Sequence, residues 1–135
     1  PCRMTPVVVD TDVVSFLFKN DSRALGYLPF LRERQLLVSF MTEAELEQWV
    51  LLANWRPERI RRFRSFMNRF ASVPWSRDLI LKWAEVMVKS RASGRRLEVA
   101  DGWIAATALL YEAPLITHNP TDYLGVPTLK VLSRR

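Results

Sequence analysis

The sequence predicts an α/β domain in which helices cover a central, mainly parallel sheet. Short apolar runs rich in β-branched residues, such as Val7–Val9, are typical of strands that are buried on both faces. These runs alternate along the chain with longer segments of helical periodicity, the order expected of parallel strands joined by crossover helices. With 135 residues, 49% of them hydrophobic, the chain has the size of a single domain spanning residues 1–135.

The predicted elements follow in order along the chain. The strands are predicted at Val7–Val9, Leu36–Phe40, Val73–Pro74, Leu115–Thr117 and Leu129–Leu132. The helices are predicted at Val13–Phe18, Ser22–Arg34, Thr42–Asn54, Pro57–Phe70, Ser76–Ser90 and Val99–Glu112. The second of these is predicted to bend or to begin near Pro29.

Local signals support several of these helix boundaries. Thr42 with Glu45 matches a capping box, in which the two side chains satisfy backbone N–H groups of the first turn. Pro57 suits a first helical turn, and Gly94 is expected to end the helix that precedes it. The helix at Val99–Glu112 is apolar on nearly all sides, which predicts that it is buried.

Composition and charge limit the possible protein classes. No apolar run approaches the length of a membrane span, and the start of the chain lacks a signal-peptide pattern, so we expect a cytoplasmic protein that does not bind membranes. Cys2 is the only cysteine, which excludes an internal disulfide and a cysteine-rich zinc site. Met4 is a candidate natural start, with residues 1–3 as a remnant. The net charge of +6 fits either a nucleic-acid partner or a solubilising surface.

Four carboxylates lie where a predicted strand ends or a predicted helix begins. They are Asp10, Glu45, Asp101 and Asp122. In a parallel α/β sheet, the carboxyl ends of the strands and the first turns of the following helices lie at the same edge. We therefore expect the four acids to converge there, where they would repel one another unless a cation held them.

Helical phase supports this convergence for two of the acids. At about 100° per residue, Glu45 falls on the same, inward side of its helix as Trp49 and Leu52. Asp101 shares a helix face with Ala105, whose small side chain allows another element to approach closely. A carboxylate at the start of a buried helix is unfavourable unless it is capped, paired or bound to a metal.

Each acid also has a purely structural interpretation. Glu45 fits the capping box, Asp101 fits a helix start favoured by the helix dipole, and Asp122 fits a turn. Asp10 has few structural duties after three buried valines. The convergence of all four on one predicted edge favours the interpretation as a cation site.

Four segments of the chain together match a known pattern. They are VDTD at Val9–Asp12, SFMTEAEL at Ser39–Leu46, DGWIAATA at Asp101–Ala108 and ITHNPTDY at Ile116–Tyr123. In these segments the chain resembles the PIN-domain family and, within it, the VapC toxins of bacterial toxin–antitoxin pairs. The resemblance extends from about Val7 to Leu132, essentially the whole domain.

The resemblance implies a three-layer α/β/α fold and a ribonuclease activity that depends on Mg²⁺ or Mn²⁺. It further implies a homodimer and a cognate VapB-like antitoxin that blocks the site. By the same resemblance, Asp10, Glu45 and Asp101 match the first three metal-binding, catalytic acids of the family. Such ions would activate water as a nucleophile and stabilise the charge that develops on the phosphate.

The fourth acid and the supporting residues follow from the same resemblance. Many relatives carry an acid at the position of Asn119, and others carry one at Asp122, so either residue is a candidate to complete the site. The number of metal ions is left open for this reason. Asp12 and Thr117 resemble supports that orient the acids.

RNA would have to approach these acids despite its own negative charge. The candidates to line its path are Lys19, Arg91, Arg95, Arg96 and part of the Arg56–Arg69 cluster. The alternative for most of these arginines is a solvated helix face. The segment Asn54–Phe70, with its broad aromatic stripe, is also a candidate to bind the antitoxin or the second protomer. His118 is expected to be an exposed or supporting residue, and Trp75, Trp83 and Trp103 are expected in the core or an interface.

Three other functions compete with a ribonuclease toxin. The first is a nuclease of the same fold that acts on DNA or in RNA processing. The second is a basic nucleic-acid-binding module whose acids only cap helices. The third is a degenerate domain that serves as a protein partner.

Overall fold

A computed structural model describes residues 4–135 of the chain. The interpretation of residues 1–3 as a remnant before Met4 lies outside the described residues. Five parallel strands form one sheet in the order β3-β2-β1-β4-β5. The strands are β1 (Thr5–Val9), β2 (Arg34–Ser39), β3 (Ala71–Val73), β4 (Leu115–Ile116) and β5 (Val131–Leu132).

Helices cover both faces of this sheet, which confirms the predicted three-layer α/β/α fold. The α-helices are α1 (Thr11–Lys19), α2 (Leu28–Leu31), α3 (Phe40–Ala53), α4 (Pro57–Met67), α5 (Arg77–Ala92) and α6 (Val99–Leu110). Two 3₁₀ helices, Ser22–Tyr27 and Pro120–Tyr123, precede α2 and follow β4. Within residues 4–135, no helix has the length and apolar character needed to cross a membrane.

The central strand shows how the two cores form. Val7 and Val9 pack into a core with α1, α3 and α4, whereas Val8 packs into the opposite core with α5 and α6. All three side chains are fully buried because β1 has a neighbouring strand on each edge and helices on both faces. As predicted, α6 is also largely buried.

One predicted helix near the start of the chain is shorter than predicted. Ser22–Arg34 is not one helix, because β2 already begins at Arg34 and the rest is divided between the first 3₁₀ helix and α2. In one continuous α-helix, Pro29 would lie in the interior, where it lacks an N–H donor and its ring meets the carbonyl of the preceding turn. The structure places Pro29 at the start of α2, which confirms the predicted alternative of a helix that begins near this residue.

The predicted capping box is also wrong. Helix α3 begins at Phe40, which the prediction had assigned to a strand, and Ser39 is its N-cap. The Ser39 hydroxyl accepts a hydrogen bond of 3.0 Å from the backbone N–H of Met41. Glu45 consequently lies in the second turn of α3 and not in the first, so its carboxylate is not needed to cap the helix.

Candidate active site

A pocket of about 390 Å³ lies at the carboxyl edge of the sheet and contains the predicted acids. It is lined by Asp10, Thr11, Asp12, Ser15, Lys19, Glu45, Leu46, Trp49, Asp101, Asn119 and Asp122. These residues come from the end of β1, from α1, α3 and α6, and from the loop and 3₁₀ helix after β4. The parallel topology therefore brings together residues more than 100 positions apart in sequence.

Asp10 is the most deeply placed acid and is held from three directions. Its Oδ1 accepts a hydrogen bond of 2.8 Å from the backbone N–H of Thr11, and its Oδ2 accepts bonds from Thr117 Oγ1 (2.8 Å) and Tyr123 OH (2.9 Å). Only 8% of Asp10 is exposed, and this burial raises the pKa of its carboxyl although the three hydrogen bonds oppose the rise. Asp10 is also the N-cap of α1, a structural role that the sequence did not indicate.

Glu45 is oriented by the first residue of α1. Thr11 Oγ1 donates a hydrogen bond of 2.8 Å to Oε1 of Glu45 and lies 3.0 Å from Oγ1 of the buried Thr42. Burial raises the pKa of Glu45, and the charge of Asp10 adds to the rise. Trp49 lines the pocket beside it as predicted, but Leu52 is 77% exposed and does not face inward.

Asp101 lies in the first turn of α6, where its carboxylate shares a donor with Asp10. The Tyr123 hydroxyl is 3.4 Å from Oδ1 of Asp101. Burial is the largest cause that raises the pKa of Asp101 to about 6, and the charges of Asp10, Asp122 and Glu45 raise it further. The acids thus repel one another in the metal-free protein, as the sequence predicted.

Asp12 supports the site through the loop after β4. Its carboxylate accepts hydrogen bonds from the backbone N–H groups of Val13 (2.7 Å) and His118 (3.1 Å) and from Asn119 Nδ2 (2.8 Å). Burial, followed by the charge of Asp10, raises the pKa of Asp12 to about 7. The Asp12 carboxylate therefore ties the start of α1 to the loop that carries the remaining site residues.

The structure distinguishes the two candidates for the fourth ligand. Both side-chain groups of Asn119 are engaged within the protein, since Nδ2 donates to Asp12 and Oδ1 accepts a 3.1 Å hydrogen bond from Arg135 Nη1. Asp122 is exposed in the pocket, and its carboxylate accepts no hydrogen bond from residues 4–135. Asp122 is therefore the better candidate, and Asn119 is a support for Asp12.

The donor set of the pocket fits a hard divalent cation. Five of the lining residues are acids, whereas Lys19 is the only cation among them. Carboxylate oxygens are the ligands that Mg²⁺ and Mn²⁺ prefer, and Mg²⁺ usually keeps several of its waters. Within the part of the chain that the structure describes, no three acids already lie at positions that would enclose an ion. The donor types therefore fit such an ion, whereas the acids of the described residues are not yet positioned to enclose one.

Other predicted residues lie away from the pocket. Arg91, Arg95 and Arg96 line a separate cavity of about 590 Å³ that is formed by the end of α5 and the loop after it. The His118 ring packs edge-on against Phe16, and its Nδ1 lies 2.6 Å from the hydroxyl of Tyr27. Neither group of side chains lines the acidic pocket, so the predicted role of these three arginines at its entrance is not supported.

The predicted tryptophans divide into two groups. Trp83 and Trp103 stack on each other with ring centroids 4.8 Å apart and pack against the core, as expected. Trp75 is 68% exposed and is not part of the core, which leaves an interface role as a prediction.

Two residues that contact the acids were not predicted from the sequence. Tyr123 and Thr11 donate hydrogen bonds to the acids. A hydroxyl-bearing residue next to a candidate acid, as in Asp10-Thr11 and Asp122-Tyr123, is the signal that was available.

Comparison with known proteins places this pocket in context. The family model of the PIN domain matches residues 7–123. The chain is 31% identical over 98 residues to Ribonuclease VapC4 of Mycobacterium tuberculosis, covering 71% of this chain and 75% of the relative. It is 28% identical over 128 residues to Ribonuclease VapC1 of Haemophilus influenzae, covering 91% and 93%. Among solved structures, VapBC2 from Rickettsia felis bound to a promoter DNA fragment has a TM-score of 0.83 at 18% identity, covering 96% of this chain and 98% of that one.

Proposed function

We propose that this chain, which belongs to the PIN-domain family, is an endoribonuclease that acts as the toxin of a toxin–antitoxin pair. The observation that carries the proposal is the pocket in which Asp10, Glu45, Asp101 and Asp122 converge at the carboxyl edge of the sheet. The names of its relatives, Ribonuclease VapC4 and Ribonuclease VapC1, support RNA as the substrate.

The proposed cofactor is Mg²⁺ or Mn²⁺, held by Asp10, Glu45, Asp101 and Asp122. When bound, such an ion lowers the pKa of a coordinated water and stabilises negative charge on a phosphate. The raised pKa of Asp101 and the excess of five acids over the single cation Lys19 in the pocket support this assignment, because like charges at close range are stabilised by a counterion.

The residues around the acids fix their positions before a ligand arrives. Thr117, Tyr123 and the backbone of Thr11 hold Asp10, and the Thr11 side chain holds Glu45. Such preorganisation matters because carboxylates that are already oriented need little rearrangement when charge develops in the reaction. In this arrangement Thr117, Tyr123 and Thr11 are positioning residues, and Asp12 and Asn119 hold the neighbouring loop.

Two protein partners belong to the proposal. The solved complexes VapBC2 of Rickettsia felis and VapBC-1 of nontypeable Haemophilus influenzae support an antitoxin partner. Leu81 and Val88 are exposed apolar side chains two helical turns apart on α5, and a homodimer interface on this face would cover them. We also propose that the protein is located in the cytoplasm, because its proposed RNA substrate is found there.

Cleavage of RNA by the purified protein tests the enzymatic part. We expect Mg²⁺ or Mn²⁺ to support cleavage and EDTA to abolish it. Asp10→Asn and Asp101→Asn should each lower the rate by about a hundredfold or more, because each removes an anionic oxygen from the site. The matched control is Asp78→Asn, since Asp78 is an exposed acid in the first turn of α5 and should be replaceable without effect.

Several outcomes of that assay would overturn the proposal. Cleavage that persists in Asp10→Asn would contradict the assigned site. Cleavage that persists in EDTA would contradict the dependence on a metal ion. RNA binding without cleavage would favour a binding module, and cleavage confined to DNA would favour a different nuclease.

The toxin role needs a separate test in cells. Induced expression in a bacterium should arrest growth, and the arrest should be absent for Asp101→Asn. Coexpression of a small protein from the adjacent gene should relieve the arrest by forming a complex that purifies with the chain. Normal growth at high expression of active enzyme would contradict a toxin role.

Light scattering of the purified protein tests the homodimer, for which we expect twice the mass of a single chain.

A further inference from the structure

We infer that Lys19, Trp49, Trp55 and Arg59 form a continuous track that binds single-stranded RNA beside the acidic pocket. The inference rests on the proposed ribonuclease function and names the surface along which its substrate would lie. We call these four residues the cation–aromatic track.

The track begins inside the pocket and leads out of it. Lys19 and Trp49 both line the pocket with the acids, and Lys19 Nζ lies 5.8 Å from the ring centroid of Trp49. The Trp49 and Trp55 rings are 4.7 Å apart between centroids, and Arg59 Cζ lies 4.6 Å from the centroid of Trp55. A cation, two aromatic rings and a second cation therefore follow one another from the acids to α4.

The distribution of charge extends the track along α4. Residues 54–70 contain six arginines and one acid, a net charge of +5 in a chain whose total is +6. Arg61 and Arg62 are exposed, whereas Arg64 is paired with Glu47. Most of the excess positive charge of the protein thus lies at the far end of the track, where it would attract a phosphate backbone.

The chemistry of the track fits a single strand better than a duplex. Proteins that bind single-stranded nucleic acids combine basic side chains, which contact phosphates, with aromatic rings, on which bases stack. A duplex hides the faces of its bases within its own stack, so the two tryptophans would add little to its binding. Because neither interaction reads base edges, we expect the track to contribute affinity rather than sequence specificity.

A structural role explains only part of this arrangement. Trp49 and Trp55 pack against the buried ring of Phe63, with centroid distances of 6.2 and 5.7 Å, so one side of each ring stabilises the fold. Both tryptophans nevertheless stay partly exposed, and Lys19 is exposed. Packing against Phe63 does not require Trp49 to form a wall of an acidic pocket or require Lys19 to lie over its ring.

Fluorescence anisotropy with a labelled single-stranded RNA tests the track. The measurement is made in EDTA, which prevents metal-dependent cleavage, at several salt concentrations. The variants Lys19→Gln and Arg59→Gln each remove one charge while keeping most of the side chain, and Trp49→Phe keeps a smaller ring. The matched control is Lys130→Gln, because Lys130 is exposed and precedes β5, at the edge of the sheet opposite the acids.

We expect each of the two charge-removing variants to weaken single-strand binding by about threefold to tenfold. Each should also make the slope of log affinity against log salt concentration shallower by about one, the value for one phosphate contact. Trp49→Phe should weaken binding by about threefold, and binding of a duplex of the same sequence should change less. Lys130→Gln should bind as the unmodified chain does. Thermal unfolding of each variant verifies that the fold is retained. If Trp49→Phe is unstable, the two charge-removing variants decide the question.

The outcomes separate the track from the proposed function. Unchanged single-strand binding in Lys19→Gln and Arg59→Gln would overturn the track, even if Asp101→Asn still abolished cleavage and so supported the ribonuclease. Equal loss in Lys130→Gln would also overturn it, since only overall charge would then matter. Loss of antitoxin binding without loss of RNA binding would assign the same surface to a protein partner. If cleavage proved independent of Asp101 while the track variants lost RNA binding, the proposed function would fail and the surface would stand.

Discussion

The hydroxyl of Tyr123 donates a hydrogen bond of 2.9 Å to Oδ2 of Asp10. The hydroxyl oxygen of Tyr123 also lies 3.4 Å from Oδ1 of Asp101. One buried donor thus connects two acids that are 91 residues apart in sequence. Tyr123 is only 2% exposed, and burial followed by the charges of Asp10 and Asp101 raises the pKa of its phenol. The hydroxyl therefore stays protonated and acts as a donor at every physiological pH.

Tyr123→Phe tests the importance of this donor. The change keeps the ring and its packing but removes a hydrogen bond to a carboxylate. We therefore expect the rate of RNA cleavage to fall about tenfold and the free energy of unfolding to fall by about 1 kcal/mol. Cleavage rates and thermal unfolding measure the two effects. Tyr111→Phe is the control, because Tyr111 is exposed at the end of α6. A cleavage rate equal to that of the control would show that the donor is dispensable.

Thr11→Val tests whether Glu45 needs its partner. Valine has nearly the volume of threonine but cannot donate the 2.8 Å hydrogen bond to Oε1 of Glu45. We expect a loss of cleavage of about fivefold to tenfold with the fold retained, because the carboxylate would sample more rotamers. Thr11→Ser should restore most of the activity, since serine keeps the hydroxyl. Equal rates in the valine and serine variants would argue against a positioning role.

Because the clustered acids repel one another, we expect that neutralising Asp101 stabilises the metal-free protein. The pKa of Asp101 in the folded chain is about 6, above its ordinary value of 3.8, so the folded state favours the protonated carboxyl. Stability is therefore lost as the pH rises from about 4 to above 6, where Asp101 is charged in both states. Asp101→Asn should remove this loss and raise the free energy of unfolding by about 1 kcal/mol at pH 8, after allowance for solvent screening of a half-buried group.

Thermal unfolding in EDTA at pH 8 and pH 4 measures that gain. The increase should be present at pH 8 and absent at pH 4, where Asp101 is largely protonated in the folded state. Asp78→Asn, at an exposed site, should show no such dependence on pH. A destabilised Asp101→Asn protein at pH 8 would mean that the carboxylate has a favourable structural role and that repulsion does not dominate.

Metal binding should be visible in stability independently of activity. A ligand that binds only the folded state at about 100 times its dissociation constant stabilises it by about 2.7 kcal/mol. We expect Mn²⁺ or Mg²⁺ to raise the unfolding temperature of the unmodified chain, and to raise it much less in Asp10→Asn or Asp122→Asn. A normal response in Asn119→Ala together with none in Asp122→Asn would support Asp122 as the fourth ligand. The reverse result would favour Asn119.

Much of the fold was predictable because local patterns encode it. The buried run Val7–Val9 and the apolar helix α6 were predicted from β-branched residues and helical periodicity, and the structure confirms both. Membership of the PIN-domain family, predicted from the four matching segments, is also confirmed. The errors occurred where two signals compete, as at Ser39, where a serine cap and a threonine–glutamate pair lie three residues apart.

The sequence by itself determined which acids reach the candidate site. Asp10 follows a strand and Asp101 begins a helix, and parallel strands joined by helices bring such positions to one edge of the sheet. Only the tertiary structure decided which neighbour holds each acid. Thr117 and Asp10 are 107 positions apart, as are Asn119 and Asp12, and their hydrogen bonds depend on side-chain geometry at the edge of the folded sheet. Periodicity specifies the end of an element, but a contact of 2.8 Å between distant side chains exists only after the strands and helices have packed.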